Sequence, residues 1–210
     1  MNGANTRDGF YRILEWIMVL AWLNILWVIF TLLGFVIFGW APATVSLLSM
    51  LRKIHKEKNL RLPKFKEFYH HYKANFMKAN GVGLILIITI FVLGYGFMTL
   101  PYLPGLSFYV MFNFYVVMTS LFMVMSIFVF PTLTHYQATF INYFKYALLI
   151  GLSNLHYGLL CVISLALTYI LFRAFPGLIL FFPISVPCAI LMFITLKAFN
   201  RIENKIVIAK

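Results

Sequence analysis

Residues 52–78 read RKIHKEKNLRLPKFKEFYHHYKANFMK, and nine of the chain's seventeen Lys and Arg residues lie in this one stretch. On either side the charge disappears. No Asp, Glu, Lys or Arg occurs from Trp16 to Leu51 or from Ala79 to Phe144, and two more uncharged stretches follow at Tyr146–Phe172 and Ala174–Leu196. A water-soluble fold of 210 residues has too little interior to hide that much apolar surface. The solvent for most of this chain is therefore lipid, and the basic stretch marks the side that stays in water.

The composition agrees: 63% of residues are hydrophobic, 19% aromatic and only 10% charged. Packed into spans of about 20 residues, such a chain predicts one all-α, polytopic membrane domain over residues 1–210 with no separate soluble domain. The net charge of +12 would suit nucleic acid only if it lay on a water-facing fold. Here it flanks spans, where it meets anionic headgroups, so nucleic acid is not an expected partner. Cys161 and Cys188 fall in apolar stretches and read as small packing residues, with no metal-type spacing. The polar Met1–Phe10 and the long apolar run behind it predict a retained first span rather than a cleaved signal.

Working outward, five spans are expected, at about 11–40, 80–100, 107–130, 155–172 and 178–199, with a basic loop at 43–79. Gly39-Trp40-Ala41-Pro42 predicts a helix break, with Pro42 opening a second helix from Ala43 to about Lys56. After Pro63, the rings Phe65, Phe68, Tyr69, Tyr72 and Phe76 recur at helical spacing on one stripe, flanked by Lys64, Lys66, Lys73 and Lys78. That pattern predicts a separate interfacial helix whose aromatic face meets lipid or a protein partner. Asn80 reads as a cap for span two, and Ser107 as a cap for span three. Pro131 should end or kink span three, and a short helix is expected at Thr139–Ile150. Pro183 and Pro187 should kink span five.

With the basic stretch inside, only Arg7, Arg12 and Arg173 of the seventeen Lys and Arg remain outside. The positive-inside rule then sets the N-terminus outside and the C-terminus in the cytoplasm.

Chemistry is sparse. No ionisable group lies near the centre of an expected span, which argues against a pump built on buried carboxylates. His70 and His71 are adjacent rather than four apart, and His55, His135 and His156 have no Cys or acidic residue at ligand spacing, so the histidines read as solvated or headgroup-facing. The five acidic residues are dispersed, and no phosphate-binding loop or nucleophile elbow is present. No catalytic residue, cofactor or metal site is expected.

Gly39-Trp40-Ala41-Pro42-Ala43-Thr44, then Arg52-Lys53, then Tyr72-Lys73-Ala74-Asn75-Phe76 ahead of Asn80, resemble the YesL-type family of bacterial membrane proteins. Phe130-Pro131 and Ala147–Asn154 are also similar. The family's function is unknown, but its genes tend to lie near carbohydrate ABC-importer components. The resemblance implies a cytoplasmic-membrane protein accessory to carbohydrate import, with the importer's permease or ATPase as partner. It places weight on Gly39, Pro42, Thr44, Arg52, Lys73, Phe76 and Asn80. Two alternatives stay open at this level: a stand-alone transporter or channel for a neutral solute, or a lipid-sensing protein working through the basic helix.

Overall fold

Unbroken apolar runs without strand-like alternation leave the backbone one way to satisfy its own polar groups in lipid, and that is helix. A computed structural model describes residues 3–57, 60 and 62–208, and side chains within 11–57, 60 and 62–204. The helices are α1 (Gly3–Leu33), α2 (Trp40–Glu57), α3 (Phe65–Thr99), α4 (Leu106–His135), α5 (Phe140–Ser153), α6 (Leu155–Ala174), α7 (Gly177–Phe181) and α8 (Ser185–Ile208). Five segments are long and apolar enough to cross a membrane: Tyr11–Leu33, Phe65–Tyr102, Leu106–His135, Leu155–Ala174 and Ser185–Asn204. The protein is thus an all-α, multi-pass membrane protein, although several boundaries differ from expectation.

The first helix stops at Leu33, short of the expected end near Trp40. Gly34–Gly39 forms a corner in which Phe35 and Val36 take positive φ of 53° and 63°. Left-handed backbone is unfavourable for bulky residues and persists only where surrounding bonds enforce it. Three do so: Val36 N–H to the Thr31 carbonyl at 2.9 Å, Phe38 N–H to Gly34 at 3.1 Å and Trp40 N–H to Val36 at 3.1 Å. Pro42 then sits in the first turn of α2, where its missing N–H leaves no bond unmade.

The expected aromatic helix and span two are one helix. α3 runs 35 residues without interruption, about 52 Å against a hydrocarbon core of about 30 Å. Nothing in Lys78-Ala79-Asn80 breaks it, because none of these residues removes a backbone donor or clashes with the preceding turn. Asn80 is therefore mid-helix rather than a cap, and its amide nitrogen is buried without a partner. The apolar half crosses the membrane, and the lysine-bearing half overruns it.

Two further boundaries move. α4 continues through Pro131 to His135, and it starts at Leu106 behind Gly105, whose φ is +55°, so Ser107 is not its cap. The expected fifth span divides at Phe182–Ile184 into α7 and α8, with Pro183 in the gap and Pro187 in the first turn of α8. Both prolines thereby avoid the helix interior.

α2 is the hub of the packing rather than a peripheral strut. Ten of its eighteen residues are buried, from Ala41 to Ile54, and it touches α1, α3, α4 and α8. It runs antiparallel to α3, since Lys53 reaches Glu67 while Trp40 and Ala41 lie against Gly83. α5 folds back on α4, where Gly151 meets Val124 and Phe128. The basic ends of α2 and α3 and the C-terminal end of α4 converge in this way.

Candidate functional site

Along α2 the sequence turns from apolar to basic, and Ser49, Arg52, Lys53 and Lys56 share one face at i, i+3, i+4 and i+7. On α3 the same spacing places His71, Ala74, Asn75 and Lys78 on a facing stripe. Together with the end of α4, the Tyr136–Thr139 connection and Tyr143, these two stripes wall a cavity of about 1040 Å³.

Arg52 anchors it. Its Nη1 donates to the Thr134 carbonyl at 2.7 Å, one of the last-turn carbonyls that have no partner within α4. A cation there also meets the negative end of the helix dipole. The Arg52 Nε is buried without a partner. Burial lowers the Arg52 pKa, while nearby Glu203 and Tyr136 act in the opposite direction.

Lys53 is already engaged. Its Nζ donates to Glu67 at 3.0 Å, with Glu57 at 4.0 Å, and the bond to Glu67 raises its pKa. Lys56 and Lys78 are exposed and have no ion-pair partner among the described residues. On the α4 wall of the cavity, His135 Nε2 lies 2.8 Å from Glu203 Oε1, and the His135 side chain is only 6% exposed. Arg201 Nη1 lies 3.0 Å from His156 Nε2. Both contacts tie α8 to its neighbours. His135 is therefore packed and bonded, contrary to the expectation of a solvated or headgroup-facing ring. Its partner is 68 residues away in the chain, so no local spacing could have revealed the pair.

Burial pushes the Tyr136 phenol up to about 12, assisted by Glu203 and opposed by Arg52. The neutral form is thus favoured more in the folded state than in the unfolded one. Its stabilising contribution should be complete below pH ~10, the ordinary tyrosine value, and should fade as pH rises through about 12. Absorbance at alkaline pH, compared with a Tyr136→Phe variant, checks this: the absorbance change at the alkaline end of the titration should fall by one phenol's amplitude in the variant.

The aromatic stripe has a partner within the chain. Phe30 of α1 packs on Phe65, Phe68, Tyr69 and Tyr72 at ring-centroid distances of 5.1, 5.0, 6.1 and 5.0 Å. Phe68 is fully buried and Tyr72 is 8% exposed, while Phe65 and Tyr69 keep 48% and 47% exposure. Phe76 packs against Tyr72 at a ring-centroid distance of 5.5 Å, the rings tilted by 59°. Four of the five rings share a face because they grip Phe30 of α1, and Phe76 extends the row through Tyr72, which corrects the expectation of a free docking stripe. Trp22 adds to the grip by donating from Nε1 to the Pro63 carbonyl at 2.9 Å.

Of the other residues singled out, Lys64, Lys66 and Lys73 are exposed. Gly39, Pro42 and Thr44 lie at the α1–α2 corner, apart from the cavity. Thr44 Oγ1 donates to the Trp40 carbonyl at 2.7 Å and accepts from Trp27 Nε1 at 3.0 Å, tying the two helices together. Arg7, Lys205 and Lys210, which enter the charge-asymmetry argument, lie outside the described side chains. Among the described residues no three His, Cys, Asp or Glu gather as a metal site.

Residues 20–97, which contain the corner, α2 and about half of the cavity-lining side chains, match the family described as "Protein of unknown function, DUF624". The uncharacterized protein YesV of Bacillus subtilis (strain 168) is 31% identical over 198 residues, 93% of this chain and 94% of YesV. The chain belongs to the DUF624 family. The uncharacterized proteins YteU and YesL of the same organism are also similar, at 34% over 83% of this chain and 27% over 94% of it, covering 78% and 93% of their own lengths. No solved structure matches. The YesL-type resemblance read from the corner and the basic stretch is thus the DUF624 relationship. The family match spans the corner, α2 and nearly all of α3, the elements that hold Phe30, Arg52 and Lys78 in place.

Proposed function

We propose that this DUF624 protein is a non-enzymatic accessory component of a bacterial carbohydrate ABC import system, seated in the cytoplasmic membrane with its C-terminus inside. The observation that carries the reading is the overrun of α3. Its 35 residues exceed the hydrocarbon core by roughly 20 Å, and the overrunning half, with the Lys64 that precedes it, carries Lys66 and Lys73, all three exposed. Braced by Phe30 and by the Lys53–Glu67 pair, this half is a rigid basic rod beside the membrane. A basic surface of this kind suits both anionic headgroups and an acidic face on a permease or ATPase. The carbohydrate setting rests on the genomic company implied by the family resemblance.

Affinity purification from native membranes tests it. A permease or ATPase of a carbohydrate importer should co-purify with the wild-type chain. Its recovery should fall about tenfold, a difference of about 1.4 kcal/mol in binding, for a Lys64→Gln/Lys66→Gln/Lys73→Gln variant. Recovery of neither component under any sugar condition would sink the proposal. The cavity favours a second reading, in which the protein binds a solute itself.

A further inference from the structure

We infer that the cavity between α2, α3 and the α4–α5 connection is a binding site for a small polar molecule bearing an oxyanion, a phosphate or a carboxylate. The inference does not depend on the accessory-component reading.

Charge is the first argument. Arg52, Lys53, Lys56 and Lys78 line the cavity, and Glu57 is the one acidic residue among its described walls. Lys53 is committed to Glu67 at 3.0 Å. Arg52 is held by a neutral carbonyl, not a carboxylate. Three cations thus face one space with no ion-pair partner among the described residues. Arg52 is also partly stripped of water, and burial of this kind is unfavourable for a cation unless a counter-charge is near. Glu203 offsets part of that cost from outside the cavity walls, and an anion in the cavity would add a second counter-charge on the open side.

Shape and chemistry make the second argument. At about 1040 Å³ the cavity stands at the upper end of small-molecule sites, which run about 300–1,000 Å³. A bare ion would rattle in it, whereas a phosphorylated or carboxylated molecule of several carbons would fill a useful part. The guanidinium is planar and spends one nitrogen on Thr134, and it belongs to the group that best matches oxyanions. Lys56 and Lys78 line the cavity from two different helices. The antiparallel register that sets Lys53 beside Glu67 and Ala41 beside Gly83 places them toward opposite ends of it. An elongated molecule, with its oxyanion at one end, therefore suits the site better than a compact one. Tyr136, kept neutral by burial, and Gln137 add uncharged hydrogen-bonding groups at the rim.

The oxyanion could belong to a soluble compound or to the headgroup of an anionic lipid, and two experimental arms separate these sources. Protein in phosphatidylcholine nanodiscs is melted with inorganic phosphate or glucose 6-phosphate, against chloride at equal ionic strength. Separately, lipid retained from phosphatidylglycerol-containing nanodiscs is counted by native mass spectrometry. A rise in melting temperature with the soluble phosphates supports the site and a soluble ligand. Retained phosphatidylglycerol supports the site with a lipid ligand. In either arm Lys56→Gln/Lys78→Gln should weaken the response about tenfold or more, while melting like wild type without ligand, because both lysines are exposed. Arg52→Gln should weaken it too, but this variant also loses the Thr134 bond, so the lysine variant decides. No response in either arm, or an unchanged response in the lysine variant, overturns the inference.

Discussion

A Gly39→Ala variant is expected to lose the native corner between α1 and α2, and with it most of the protein's stability in detergent. A Cβ at Gly39 would lie 2.2 Å from the Thr31 carbonyl oxygen and 2.7 Å from the Thr31 Cα. Both are backbone atoms, so no rotamer change relieves the overlap. The corner itself cannot yield easily, because the Val36 N–H bond to Thr31 holds Phe35 and Val36 in left-handed conformations. Overpacking of this sort costs about 1–3 kcal/mol where side chains can adjust, and here the loss should reach or exceed the top of that range. Gly94→Ala is the matched control, since nothing lies within 4 Å of its added Cβ. Inside α3, near its C-terminal end, that exchange should be neutral or stabilising by up to about 1 kcal/mol. Denaturation by SDS in mixed micelles reads both. A Gly39→Ala midpoint equal to wild type would show that the corner opens without penalty.

Phe30→Ala should produce a loss of comparable size. The ring is 1% exposed and touches four rings of α3. Its removal leaves a void that Phe68 and Tyr72 cannot fill without shifting α3 against α1. Phenylalanine truncations in closed cores cost about 3–5 kcal/mol. In a membrane protein the dispersion and cavity part of that cost persists even where the water-transfer part is reduced. Tyr69→Ala, at the half-exposed edge of the same cluster, should cost clearly less. The same SDS titration orders the two. Equal effects would mean that the rings do not act as a grip on α1.

Much was legible beforehand because the governing signals are local. The charge-free runs and the basic stretch establish a helical membrane protein with five candidate spans, since lipid leaves the backbone no alternative to helix. Pro42 marks a helix start through its own backbone chemistry, and it stands in the first turn of α2 in the structure. Asn80 misled for a corresponding reason. A capping residue ends a helix only where the chain has cause to stop, and the packing of Phe68 and Tyr72 on Phe30 carries α3 straight through. The stripe was visible, but its occupant was not, because Phe30 is 38 residues from Phe68 in an unremarkable apolar run.

The cavity was hidden more completely. Arg52 meets Thr134 across 82 residues, and His135 meets Glu203 across 68. Periodicity and spacing cannot report pairings formed only when α2, α4 and α8 converge. The sequence alone determined the solvent, the helical class and the location of the positive charge, because each depends on composition and on residues within a few turns of one another. Only the tertiary structure decided what that charge does. Between Arg52 and Lys78, part of it is neutralised by Glu67, part lies exposed along the overrunning end of α3, and part faces a cavity. That division depends on which carboxylates and carbonyls folding brings within hydrogen-bond reach.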